Sequence, residues 1–173
     1  MAIIRRKPVA RVALVASVAA CLAAATARPL AQGAHKPPIT WAAGPAARGA
    51  AGDILRLEVM ARIDDGWHLY SLTQPAPPDP TSIAVAEGQA FSLKGAVEAP
   101  APEKGFDAAQ GAETEYYTGQ VTFGVPVAAA ENTAPGNYAV TIAVRWQACN
   151  GSLCLRPQTL TVEVPVQLAA RSR

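Results

Sequence analysis

Short runs of alternating apolar and polar residues, turn residues at regular intervals between them, and no stretch of helical period beyond the N-terminal segment predict an all-β chain. About seven such strands suit an antiparallel immunoglobulin-like β-sandwich. Half of the 173 residues are hydrophobic, so the chain has ample material for a core. The formal charge of +2 marks neither a basic footprint for nucleic acid nor an acidic tail.

Residues 1–27 read as a secretory signal peptide: Arg5, Arg6, Lys7 and Arg11 precede an apolar run from Val12 to Ala25, and Ala25-Thr26-Ala27 offers a small-x-small cleavage site. That run is too short for a comfortable membrane span, and no later stretch approaches the ~20 apolar residues that spanning needs. Val18-Ala19-Ala20-Cys21 resembles a lipobox, so a lipid anchor through Cys21 is the alternative to plain cleavage. The continuation of the apolar run past Cys21 favours plain cleavage, and in both cases one even pair of thiols remains, Cys149 and Cys154.

Residues 28–38 are rich in Ala, Pro and Gly and are expected to form a flexible arm before a first edge strand at Ile39-Thr40-Trp41. From Asp53 to Ile63 the alternation is clean, with Leu55, Leu57, Val59, Ala61 and Ile63 inward. Asp64-Asp65-Gly66 turns the chain into Trp67-His68-Leu69-Tyr70, which ends before the proline-rich loop Gln74–Pro80. Short strands are expected at Thr81–Ala86 and Phe91–Val97. Glu98–Ala112 lacks periodicity and surrounds one large apolar residue, Phe106, so a long and functional loop is expected there. Glu115–Val127 is a further strand, with Tyr117, Val121, Phe123, Val125 and Val127 inward. The domain is expected to span residues 39–168, followed by a tail at 169–173.

The last two strands carry the chemistry. Tyr138, Val140, Ile142, Val144 and Trp146 share one face of the first, Leu160, Val162, Val164, Val166 and Leu168 one face of the second, and Asn150-Gly151 lies between them as in a hairpin. Facing positions on such a ladder have Cα atoms about 4.5 to 5.5 Å apart, so a cross-strand Cys149–Cys154 disulfide is feasible. Pairing the cysteines, however, sets Val144 against Thr159 and Ile142 against Thr161, core residues against solvent-facing ones. An extra residue near Pro157, or divergence of the strands into different sheets, resolves the mismatch.

A ring of about six residues closed by this disulfide removes only ~2 kcal/mol of chain entropy. A bridge of so little structural value is a candidate for redox exchange. Spacing argues against a metal, since two cysteines, two histidines distant from them and Met60 make a poor ligand set, and there is no Cys-x-x-Cys. Ser152, Glu113 and Glu115 lack the partners of a hydrolase. The competing reading is a non-catalytic immunoglobulin-like binding module with a structural hairpin disulfide.

The export signal, Asp65-Gly66-Trp67-His68-Leu69-Tyr70, the loop before Glu115-Tyr116-Tyr117, and Trp146-Gln147-Ala148-Cys149 with Cys154-Leu155-Arg156-Pro157 together resemble the periplasmic N-terminal domain of the thiol:disulfide interchange protein DsbD. The resemblance covers roughly residues 39–167 and is most specific at the cysteine hairpin. It implies an immunoglobulin-like domain without cofactors whose catalytic pair, Cys149 and Cys154, exchanges electrons with thioredoxin-like periplasmic proteins, Cys154 being the sulfur that meets the partner. It also implies aromatic residues near the pair, at the positions of His68 and Tyr70, the histidine being a departure, and a shielding loop tipped by Phe106 or, with a different gap, Tyr116. The chain ends soon after the domain, so its electrons are expected from a separate membrane thiol reductase. Arg145 and Arg156 are expected to favour thiolate if their side chains reach it.

Overall fold

The computed structural model describes residues 36–171. The signal peptide, Cys21 and most of the arm lie outside the described residues, as do the last two residues of the tail.

The strands are β1 (Ile39–Ala43), β2 (Ala47–Ala50), β3 (Ile54–Ile63), β4 (Trp67–Tyr70), β5 (Ser82–Val85), β6 (Phe91–Leu93), β7 (Glu103–Asp107), β8 (Ala112–Tyr117), β9 (Gln120–Ala129), β10 (Gly136–Trp146), β11 (Ala148–Asn150) and β12 (Gln158–Ala169). No helix occurs among the described residues. Two four-stranded sheets, ordered β1-β3-β9-β6 and β2-β12-β10-β5, form an immunoglobulin-like sandwich. A third, ordered β11-β4-β8-β7, carries the cysteine hairpin.

The alternation seen in the sequence supplies the core. Leu57, Val59 and Ala61 of β3, Phe123 and Val125 of β9, Val140, Ile142 and Val144 of β10 and Val164 of β12 are fully buried. Trp41 of β1 stacks on Phe123 with ring centroids 5.8 Å apart and meets Trp146 of β10 at 6.3 Å. Nearly all pairings are antiparallel, and the exception is the short β2, which runs parallel to the end of β12.

Three expectations need correction. Glu98–Ala112 is not an irregular loop, because Glu103–Asp107 pairs with Ala112–Tyr116 as a β-hairpin. Its strand Glu-Lys-Gly-Phe-Asp lies at a sheet edge with little burial, so it carries no apolar alternation. The strand expected from Glu115 to Val127 is two, broken at Thr118-Gly119, where Gly119 takes φ of 65°. Finally, Phe91–Val97 is paired only to Leu93.

Both resolutions of the register mismatch operate. The β10–β12 ladder pairs Val144 with Leu160 and Ile142 with Val162, so core faces core. Cys149 bridges Cys154, a register offset by one from that ladder. Only Gln147 separates the last paired residue of β10 from Ala148, whereas Arg156 and Pro157 separate Leu155 from Gln158. The chain changes sheets at Gln147: its carbonyl accepts from Tyr70 N, its Oε1 from Asp79 N, and its Nε2 donates to Leu155 O.

With a core of this extent, folding does not hang on the ~2 kcal/mol bridge. Thermal unfolding of oxidised wild-type protein and of the Cys149→Ala/Cys154→Ala double variant is expected to differ by only a few degrees. Loss of the folded state in the double variant contradicts this and favours a structural disulfide.

Candidate functional site

The site forms on the third sheet. β4 lies between β11 and β8, with Cys149 directly opposite His68 on one side and Tyr116 opposite Tyr70 on the other. The cysteines are bonded to each other across a loop held by Asn150, whose Oδ1 accepts from Ser152 N and Leu153 N at 3.0 and 2.8 Å. Cys149 is fully buried, and Cys154 is partly exposed.

Tyr70, also fully buried, points its hydroxyl between two acceptors: Asp107 Oδ2 at 2.6 Å and Cys149 Sγ at 2.7 Å. One hydroxyl proton cannot serve both, and an ionised carboxylate is a far better acceptor than a disulfide sulfur. In the oxidised protein the proton therefore lies toward Asp107. Asp107 Oδ2 also faces His68 Nε2 at 2.9 Å, and since an ionised carboxylate only accepts, that nitrogen carries the hydrogen. Oδ1 accepts from Ala109 N at 2.9 Å and Gln110 N at 3.3 Å. The His68 ring packs on Tyr116 and Tyr70 at 4.9 and 5.3 Å.

Burial alone raises the carboxyl pKa of Asp107, but the hydrogen bonds from Tyr70 and His68, the charge of the imidazole and the Ala109 N–H outweigh it, and the net direction is down. Burial first, then the hydrogen bond to Asp107 and its charge, push the Tyr70 phenol well up, so it remains a donor wherever a thiolate forms.

The sequence expectation centred on His68, Tyr70, Tyr116 and Phe106. The first two surround the disulfide, and Tyr116 reaches it through the His68 ring. Phe106 stands 67% exposed beside Asp107 and lines an open groove of about 570 Å³ together with Trp67, His68 and Tyr116. The side chain from this hairpin that contacts sulfur is Gln110, whose Nε2 lies 3.0 Å from Cys154 Sγ. Arg145 pairs with Asp79 instead of reaching the thiols. Asp107 and Gln110 are absent from the sequence reading. Their only signal was position in the stretch already singled out around Phe106, because a lone Asp before a turn reads as a local cap.

Gln110→Ala is expected to speed alkylation of the reduced pair by a small reagent several-fold, with Phe106→Ala changing it less. The reverse order of rates makes Phe106 the cover.

The family model described as "Thiol:disulfide interchange protein DsbD, N-terminal" matches residues 42–165. The chain belongs to this family. Among solved structures, the DsbD N-terminal domain of Neisseria meningitidis in the reduced form is similar at 18% identity and TM-score 0.45, covering 73% of this chain and 86% of that one. The N-terminal periplasmic domain of ScsB from Proteus mirabilis is similar at 17% identity and TM-score 0.44, covering 66% of this chain and 42% of that one. None of the curated proteins matches the chain. As a DsbD N-terminal domain carrying a Cys149–Cys154 disulfide, this is a thiol:disulfide exchange module in the general sense.

Proposed function

We propose that the domain works in the periplasm, passing reducing equivalents through Cys149 and Cys154 to or from thioredoxin-like proteins. The observation that carries this reading is the unequal presentation of the two sulfurs. Cys154 is partly exposed, while Cys149 is buried against the Tyr70 hydroxyl.

A partner thiolate attacks Cys154 Sγ, the Cys149–Cys154 bond breaks, and Cys149 leaves as a thiolate. Tyr70 then turns its hydrogen bond from Asp107 toward that sulfur, stabilising the leaving group where water is excluded. The partner's second thiolate attacks the mixed disulfide and frees Cys154. Two electrons have then entered the pair, and the same steps reversed deliver them. In this reading His68, Tyr70 and Tyr116 wall the pair in, and exposed Phe106 and Leu153 flank it as apolar contacts for the partner.

The reduction potential of the pair tests this. A value near or above about −270 mV fits exchange, and one below about −300 mV, the range of structural disulfides, overturns it.

A further inference from the structure

Besides the bond between the sulfurs, the fold assembles a set of metal-ligating atoms. His68 and Cys149 are neighbours across the β4–β11 ladder, and Asp107 arrives from the β7–β8 hairpin. His68 Nε2, a carboxylate oxygen of Asp107 and Cys149 Sγ all lie within 4.8 Å of one another. Cys154 Sγ, bonded to Cys149 Sγ, is 3.8 Å from the Tyr70 hydroxyl, which also contacts Asp107 and Cys149. Sequence spacing hid this, because His68 is remote from the cysteines along the chain and Asp107 gives no sign of being a ligand.

We propose that the reduced domain binds one thiophilic divalent cation of the Zn²⁺ class through Cys149, Cys154, His68 and Asp107. Two thiolates, an imidazole and a carboxylate suit a tetrahedral Zn²⁺ site. Bonds of about 2.0 to 2.3 Å to one ion place neighbouring ligand atoms about 3.3 to 3.8 Å apart, so the three atoms need only a small adjustment. The surrounding groups are those such a site uses to orient its ligands. The N–H groups of Ala109 and Gln110 hold Asp107 Oδ1, leaving Oδ2 toward the site, and Gln110 Nε2 supports Cys154 Sγ.

The disulfide is the switch. Its sulfurs are poor ligands while bonded to each other, and two electrons and two protons convert them to two thiols; as the ion binds, the thiols lose their protons to the medium and His68 carries its ring hydrogen on Nδ1 in place of Nε2. The exchange reaction's partner dithiol supplies those electrons and is itself oxidised to a disulfide. A bound ion occupies both sulfurs, so the reduced module is held out of exchange until the ion is withdrawn. Metal binding itself requires only reduced thiols, whatever reduced them.

The test uses Co²⁺ as a spectroscopic probe and Zn²⁺ as competitor. Protein reduced by a phosphine, which leaves as the phosphine oxide, is freed of reductant without air and titrated with Co²⁺. Thiolate-to-Co²⁺ charge-transfer absorption is expected to saturate at one ion per chain, to be abolished by Zn²⁺, and to be missing from the oxidised protein. His68→Gln and Asp107→Asn, both conservative in size and checked for fold by near-ultraviolet circular dichroism, should each weaken binding roughly tenfold or more. Zn²⁺ should raise the Tm of reduced but not of oxidised protein. No charge-transfer absorption in reduced wild type overturns the proposal. So does equal affinity in wild type and both variants, which means that the ion is held by the thiols alone. A failure here leaves the reduction potential of the pair, and hence the exchange reading, to be judged separately.

Discussion

Cys149→Ser protein is expected to trap a thioredoxin-like partner as a mixed disulfide through Cys154, and Cys154→Ser protein to trap little. The asymmetry is large because it depends on access. An attacking sulfur must approach along the axis of the bond being broken, and Cys149 is fully enclosed, with Tyr70 at hydrogen-bonding distance, whereas Cys154 is partly open beside exposed Leu153. In Cys149→Ser protein the resolving thiol is gone, so the mixed disulfide persists. In Cys154→Ser protein the remaining thiol is the fully buried one, enclosed against the Tyr70 hydroxyl. Non-reducing electrophoresis distinguishes the two, using a single-cysteine thioredoxin-like protein whose thiol is first activated as a mixed disulfide with thionitrobenzoate, which the domain's remaining thiolate displaces as the leaving thiolate. Equal trapping by both variants contradicts the directional mechanism, and a reversed pattern makes Cys149 the partner-facing sulfur.

Replacing Asp107 with alanine should produce the largest loss of stability of any single change at the site, on the order of 3 kcal/mol, or a Tm lower by about 10 °C. The residue is 4% exposed, and its carboxylate serves four donors: Tyr70 OH, His68 Nε2, and the N–H groups of Ala109 and Gln110. Removing it leaves the buried Tyr70 hydroxyl with only a sulfur to meet, and frees the turn that presents Gln110. Asp107→Asn retains the shape and should cost less. The effect has a pH signature. The carboxyl is held below its ordinary value, so its contribution is complete above the unfolded-state pKa of about 3.9 and is lost as pH falls through the lower folded-state value. The stability gap between wild type and Asp107→Asn should therefore close in strong acid and be widest toward neutral pH. A gap that is constant with pH, measured by denaturant unfolding, means that the charge of Asp107 contributes nothing.

The parts of the fold that could be read from the sequence are those where one strand face is buried. Leu57, Val59 and Ala61, or Val140, Ile142 and Val144, declare their strands because every second residue must enter the core. β2 and β7 were not legible for the opposite reason: Ala-Arg-Gly-Ala and Glu-Lys-Gly-Phe-Asp lie at sheet edges, held by backbone hydrogen bonds to which side-chain pattern is blind. Cys149, Cys154, His68 and Tyr70, which motif and position marked in the sequence, lie together in the structure. Asp107 was not so marked, since what matters about it is the company of residues 37 and 39 positions earlier in the chain. Trp67-His68-Leu69-Tyr70 was legible as a strand but not in its burial: Leu69 and Tyr70, on opposite faces, are both fully enclosed, Tyr70 with its hydroxyl against Asp107 and Cys149.

The offset between the cysteine bridge and the β10–β12 ladder also limits how the chain can change in length. Surface turns ordinarily tolerate a residue more or less, but here one residue on the outward path, Gln147, is matched by two on the return, Arg156 and Pro157. Deleting one of those two lets the long ladder run straight through the bridge in a single register. Val144 then keeps Leu160 opposite it, but the bend that carries β11 out of the β10–β12 sheet and onto β4 loses the extra residue that makes it. The segment between Trp146 and Gln158 resembles a loop in its lack of pattern, yet its length is as constrained as that of a buried strand.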